Sequence, residues 1–145
     1  MTSSAPDTLA RRVAEHLLSR EGTGAAWAVE IEDVREGYAR IAMNVRKDML
    51  NGHGIAHGGM IFALADTAFA YACNSRNVST VAQQASIVFL AQAIEGDKLI
   101  AEAKERGGSG RSGVYAVTVR NVKGEDIAVF QGLSRTIGGP VITPN

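Results

Sequence analysis

Asn51, His57, the pair Gly58-Gly59 and Asp66 stand close enough in sequence to share chemistry, all within the stretch NGHGIAHGGMIFALAD. From Met60 to Cys73 the chain is apolar on every side except at Asp66 and Thr67. A helix that is apolar all round is buried all round, and a carboxylate is almost never fully buried unless something pairs with it. Ionising an unpaired acid in such surroundings costs several kcal/mol. An acid kept in the middle of the most apolar segment therefore points to use, as a nucleophile or as a base that takes a proton from water. Just upstream, the glycines open the helix near Gly58. Backbone N–H groups at a helix start lack intrahelical partners and carry the positive end of the dipole. The Gly59 N–H is thus a preorganised donor for an oxygen that gains negative charge, and a glycine lets backbone approach a ligand closely. Acid and donor read as one chemical site.

Each of these residues has a plainer reading. Asp66 could pair with an arginine distant in sequence, Asn51 could hold a turn, and His57 could be a loop hydrogen-bonder. His53 has no convincing partner. Phe62, Phe69 and Tyr71 fit a core better than a pocket wall. Cys73, the single cysteine, fits packing, since no histidine stands near it to activate it.

The elements that position these groups follow from pattern. Asp7 can cap a helix over residues 7–21 with Leu9, Val13 and Leu17 on one face and Gly22 closing it. Alternation from Trp27 to Val34 puts Trp27, Val29 and Ile31 on one side of a strand. Gly37 turns the chain into a second strand through Ile41, Met43 and Val45, and the two form a hairpin. Residues 46–57 are irregular, and the buried helix follows. Four apolar-rich strands come next, at roughly 78–90, 98–106, 112–121 and 126–136, separated by turns at Gly96-Asp97, Gly107-Gly108 and Gly124-Glu125. The run from Gly138 to Asn145 is expected to fray. With no helices between the last four strands, the class is α+β with one mostly antiparallel six-stranded sheet wrapped round a long helix. A single curved sheet leaves one flank of that helix open, and a second subunit is the natural cover.

A chain of 145 residues fits one domain, spanning 1–145 with its core at about 24–138, and can bury a real core. Hydrophobic residues at 46% and charged residues at 21% argue against disorder. Fifteen basic residues balance fifteen acidic ones, so neither a nucleic-acid nor a membrane surface is indicated. The lone cysteine and the lack of an apolar leader suit the cytoplasm. The apolar run at Met60–Cys73 is too short for a transmembrane span of about 20 residues.

The string Asn51-x-x-Gly54-x-x-His57-Gly58-Gly59, six residues, then Asp66 resembles the signature of hotdog-fold acyl-CoA thioesterases. Its continuation, Leu64-Ala65-Asp66-Thr67-Ala68-Phe69-Ala70-Tyr71-Ala72-Cys73-Asn74-Ser75, is similar to the phenylacetate-catabolism (PaaI-type) branch. The resemblance implies a hotdog fold, hydrolysis of aryl-acetyl-CoA or related acyl-CoA esters, and no metal or cofactor. It also implies dimers paired into tetramers with the active site shared between subunits. Asp66 would be nucleophile or general base, and the choice stays open. Gly59 would polarise the thioester carbonyl with Gly58 beside it, Asn51 would hold water or the carbonyl, and His57 would fix the loop or add a hydrogen bond. Gly59 and Asp66 lie about 10 Å apart along one helix at about 1.5 Å per residue, whereas both must come within about 3–3.5 Å of the reacting group. Gly59 of one subunit facing Asp66 of another is the easier arrangement.

Gly108-Ser109-Gly110-Arg111-Ser112-Gly113 matches G-x-G-x-x-G but leads into a strand, so a hairpin turn is the better reading than a dinucleotide loop. Arg111, with nearby Arg106, could meet the phosphates of coenzyme A. Gln83 and Gln84 stand where small residues are common in this branch, which bears on acyl preference. Hydratases of the same fold resemble a different pattern, an aspartate followed five residues later by histidine, and position 71 here is Tyr. The alternative from another class is a non-catalytic acyl-CoA-binding protein. Regulators of that kind carry a DNA-binding segment, for which the 20-odd residues before the first strand are too few.

Overall fold

The structure is a computed structural model, and it describes residues 4–143. In chain order the elements are helix α1 (Ala5–Arg20), the short helix α2 (Gly22–Ala26), strands β1 (Glu30–Arg35) and β2 (Tyr38–Asn44), helix α3 (Gly58–Cys73), and strands β3 (Thr80–Phe89), β4 (Lys98–Ser109), β5 (Ser112–Asn121) and β6 (Asp126–Thr136). All six strands pair antiparallel in one sheet, in the order β1-β2-β4-β5-β6-β3. The expected α+β class, the long central helix and the four C-terminal strands are all present.

Several boundaries differ for local reasons. Ser4, not Asp7, caps α1: its Oγ accepts the Asp7 N–H at 3.2 Å, and Pro6 sits where a proline's missing donor does no harm. The Asp7 carboxylate instead accepts the Glu36 N–H at 3.1 Å, tying α1 to the β1–β2 turn. Gly22 does not end the helix. Glu21 leaves helical geometry at φ −84°, ψ 124°, and Gly22 starts α2. That short helix and Ala28 at φ 52° take up the residues expected to begin the first strand. An irregularity between Ile31 and Asp33 then breaks the simple alternation, so that Val34 is the buried residue of β1. The C-terminal run does not fray over the described residues. Asn77 Oδ1 accepts the N–H groups of Val141 and Ile142 and its Nδ2 donates to the Ile142 carbonyl, at 2.9–3.0 Å.

α3 runs over the concave side of the sheet. Ile61, Leu64, Ala65, Ala68, Phe69, Tyr71 and Ala72 are buried, and Phe69 packs against Tyr115 and Phe130 with ring centres 5.5 and 5.8 Å apart. The opposite stripe of Phe62, Ala63, Asp66, Thr67, Ala70 and Cys73 is only half-buried. Beside it, β3 is an edge strand whose residues are half-buried or exposed along its whole length. The open flank expected of a single sheet is thus a feature of the fold. Among the described residues no helix is long and apolar enough to cross a membrane.

Candidate active site

The loop before α3 is built by side chains that bind backbone. Asn51 Oδ1 accepts the N–H groups of His53 at 2.9 Å and Ile55 at 3.3 Å, while the Asn51 amide bonds the Ile55 carbonyl at 2.8 Å. Gly54 turns at φ 77°, a conformation a side chain would resist. Asn51 therefore does hold a turn, as its plainer reading had it. Because its oxygen is taken by two amides, the function it presents outward is the NH2 group.

His57 is the N-cap of α3, and its Nδ1 accepts the Gly59 N–H at 2.8 Å. A neutral imidazole that accepts at Nδ1 carries its proton on Nε2. His57 thus offers a substrate a donor, not a base, while the cap is closed. The Gly59 amide, expected to face substrate, is occupied by this cap in the free chain. The neighbouring Gly58 amide donates to no protein acceptor among the described residues. The Phe89 ring lies over Gly58, where a Cβ would come 2.9 Å from the ring's Cζ. Asn51, Gly58, Ile61, Phe89 and Leu90 share a cleft of about 340 Å³.

Asp66 sits two turns along α3, half-buried on the open stripe, on the same face as Gly59 and Cys73. No cation pairs with it among the described residues, and burial pushes its carboxyl above the ordinary range. The plainer reading, a structural acid neutralised by an arginine, finds no partner. Asp66 makes no hydrogen bond to Asn51, His57 or Gly59 in the same chain. One chain therefore brings Asn51, His57, Gly58 and Gly59 together at the helix start and holds Asp66 apart from them.

Arg111 lies in the two-residue turn between β4 and β5, where Ser109 faces Ser112 and Gly110 takes φ 61°. The glycine-rich run is a hairpin and not a dinucleotide loop, but Gly107 and Gly108, expected to form the turn, pair within β4 against Val114 and Gly113, which moves the turn to Gly110-Arg111. Arg111 is exposed and lines a second cleft of about 390 Å³ with Cys73, Arg76, Tyr115 and Ser134. Arg76 is already engaged there, donating to Glu36 at 2.8 Å and to both Glu105 oxygens at 2.6 and 3.1 Å. Those bonds hold the Glu105 carboxyl below its usual range. Gln83 falls at an irregularity in β3 between Ala82 and Gln84, and both glutamines are exposed. No group of three His, Cys, Asp or Glu side chains among the described residues is arranged to hold a metal.

One pairing escaped the sequence reading. The fully buried Tyr71 donates its hydroxyl to Glu21 Oε2 at 3.1 Å. Burial raises the Glu21 carboxyl, the Tyr71 hydroxyl opposes that, and the charge of Asp66 adds to it. No local signal links residues 50 apart, and only the packing of α1 against α3 brings them together.

The thioesterase superfamily model matches residues 53–128 of this chain. Acyl-coenzyme A thioesterase PaaI of Escherichia coli K12 is 40% identical over 128 residues, which cover 88% of this chain and 91% of that protein. The chain belongs to the thioesterase superfamily. It is a thioester hydrolase with the hotdog fold: the structure of the E. coli PaaI protein from the phenylacetic acid degradation operon superposes with a TM-score of 0.91 at 38% identity, covering 94% of this chain and 99% of that one. A Streptococcus mutans protein bound to acetyl CoA is more distant, with a TM-score of 0.74 at 26% identity over 77% of this chain and 90% of that one.

Proposed function

We propose that this thioesterase hydrolyses aryl-acetyl-CoA or related acyl-CoA esters to the free acid and CoA, at a site completed by a second copy of the chain. The observation that carries the reading is Asp66: half-buried, without a cation, held above the ordinary carboxylate range, and set on an uncovered stripe of a helix whose start presents N–H donors. The substrate class draws on the relative named acyl-coenzyme A thioesterase and on the phenylacetic acid operon of its structural counterpart. The acetyl CoA bound to the S. mutans protein supports a CoA ester.

In the mechanism, the thioester oxygen sits among the Asn51 NH2 group, the free Gly58 amide and the Gly59 amide. The Gly59 amide exchanges its His57 acceptor for the developing oxyanion. Asp66 either attacks the carbonyl carbon, so that the C–S bond breaks and the mixed anhydride is then hydrolysed, or takes a proton from a water that attacks instead. In both routes the CoA thiolate leaves and collects a proton, and the acid is released. Arg111, free of an acidic partner among the described residues, meets the CoA phosphates. A dimer, itself paired into a tetramer, suits the half-covered stripe of α3 and the exposed edge strand β3 with Val81, Val88 and Phe89, because an unpaired apolar edge invites a strand or a neighbour.

The test is release of free thiol from phenylacetyl-CoA and a panel of acyl-CoA esters, comparing wild type with Asp66→Asn and Arg111→Ala. Turnover lost in Asp66→Asn by about 10³-fold or more, and KM raised without loss of kcat in Arg111→Ala, is the expected pattern. Binding of the whole panel without turnover would replace this reading with that of a non-catalytic acyl-CoA-binding protein.

A further inference from the structure

Phe89 closes β3, and its ring points to the concave face of the sheet. Side chains alternate along a strand, and Ile87 and Ala85, two and four residues earlier, pack against the core on that face. The ladder to β6 still holds at this position, where Phe89 stands opposite Ala128. The tip of the ring rests on Gly58, where a Cβ would stand 2.9 Å from Cζ and 3.4 Å from Cε1 and Cε2. The missing side chain at Gly58 is what makes room for the ring. Yet Phe89 is 50% exposed, so half of a large apolar surface lies bare beside the amide donors of the site.

That bare surface borders the cleft of about 340 Å³, whose other apolar walls include Ile55, Ala56, Ile61 and Leu90. Ala56 and Ile61 are buried, which fixes the floor. Among the described residues no ionisable side chain lines this cleft, whereas Arg76, Glu105 and Arg111 line the one beyond Cys73. An acyl-CoA carries an uncharged acyl arm and a polyanionic CoA arm on opposite sides of its carbonyl, and charge is costly to bury in apolar surroundings. The cleft beside Gly58 suits the acyl arm alone. Resting on the hydrolase reading, in which the thioester oxygen meets the Asn51 NH2 group and the Gly58 amide, we infer that this cleft takes the acyl arm and that Phe89 selects an aryl group there. With the carbonyl at Gly58, an aryl ring one methylene away comes alongside the Phe89 ring. Two such rings attract edge to face or offset. An acetyl group stops short of that contact.

The test uses two thioethers that cannot be hydrolysed, S-(2-phenylethyl)-CoA and S-ethyl-CoA. Their binding to wild type, Phe89→Leu and Phe89→Ala is measured by calorimetry, each variant checked for native circular dichroism and unchanged size on gel filtration. Wild type is expected to prefer the phenylethyl compound. That preference falls about 10-fold in Phe89→Ala and about 3-fold in Phe89→Leu, which keeps apolar bulk but not the ring, while S-ethyl-CoA binding stays within about 2-fold. The ratio of kcat/KM for phenylacetyl-CoA over acetyl-CoA falls by the same factors. A wild type without the preference, or a preference unchanged in Phe89→Ala, overturns the inference. An equal loss for both thioethers does so too, since it would mark the ring as part of the fold only. Because neither thioether turns over, these outcomes are independent of whether any acyl-CoA ester is cleaved, which is what decides the hydrolase reading.

Discussion

Replacing Asp66 by asparagine is expected to stabilise the protein while abolishing turnover, and the sign of that stability change separates a working acid from a structural one. The folded protein holds the Asp66 proton more tightly than the unfolded chain, because burial disfavours its charge. Stability is therefore lost as pH rises from the ordinary carboxylate range through the raised value, and the whole cost is present at neutral pH. A buried polar group left without a partner costs about 1–3 kcal/mol, and water screens part of that for a carboxyl only half covered. The expected gain at pH 7 is about 1 kcal/mol. Asparagine fills the same volume, and among the described residues no ion pair or side-chain hydrogen bond is lost with the charge. With a urea slope of about 2 kcal/mol/M, the midpoint rises by about 0.5 M at fixed protomer concentration, and the difference shrinks as pH is lowered toward about 4. Urea denaturation of both proteins at pH 7 and pH 4 measures it. If Asp66→Asn were less stable than wild type at pH 7, the carboxylate would have a stabilising partner, and the reasoning from an unpaired buried acid would fail.

Gly132→Ala places a Cβ 2.7 Å from two atoms of the Phe69 ring. That ring is held by Tyr115 and Phe130, so overpacking should cost about 1–3 kcal/mol, and adding Phe69→Leu should recover part of it in urea melts. Oligomers mixed from Asp66→Asn chains and Asn51→Ala chains should regain turnover that both parents lack, and mixtures as inactive as the parents would refute a shared site. The Cys73 thiol, pushed up to about 12 chiefly by burial, should react much more slowly with a disulfide reagent at pH 7 in the native protein than after unfolding, although it lines a cleft. Labelling equally fast in both states would contradict a suppressed thiolate.

The candidate site was legible where its causes are local. The span of α3, Gly58 to Cys73, follows from an unbroken apolar run, and Asn51, His57 and Gly54 shape their loop through bonds no more than four residues long. That a hairpin joins β4 to β5 was legible from the glycine-rich run, but its turn lies at Gly110-Arg111 and not at Gly107-Gly108, because β4 pairs with β5 as far as Ser109. The cap at Ser4, the helix break at Glu21 and the strand irregularities at Glu32 and Gln83 were not. Each depends on which of several chemically similar neighbours the surrounding packing favours.

What the sequence by itself determined is the chemistry on offer: an acid in apolar surroundings, a glycine-opened helix start, and enough alternating strands to wrap that helix. Tertiary structure alone decided which groups meet. It set β3 at the sheet edge beside the open stripe of α3. It capped the Gly59 amide with His57, and it carried Glu21 to Tyr71 across 50 residues. Contacts between distant segments depend on how whole helices and strands pack, and a one-dimensional pattern of residue types does not hold that information.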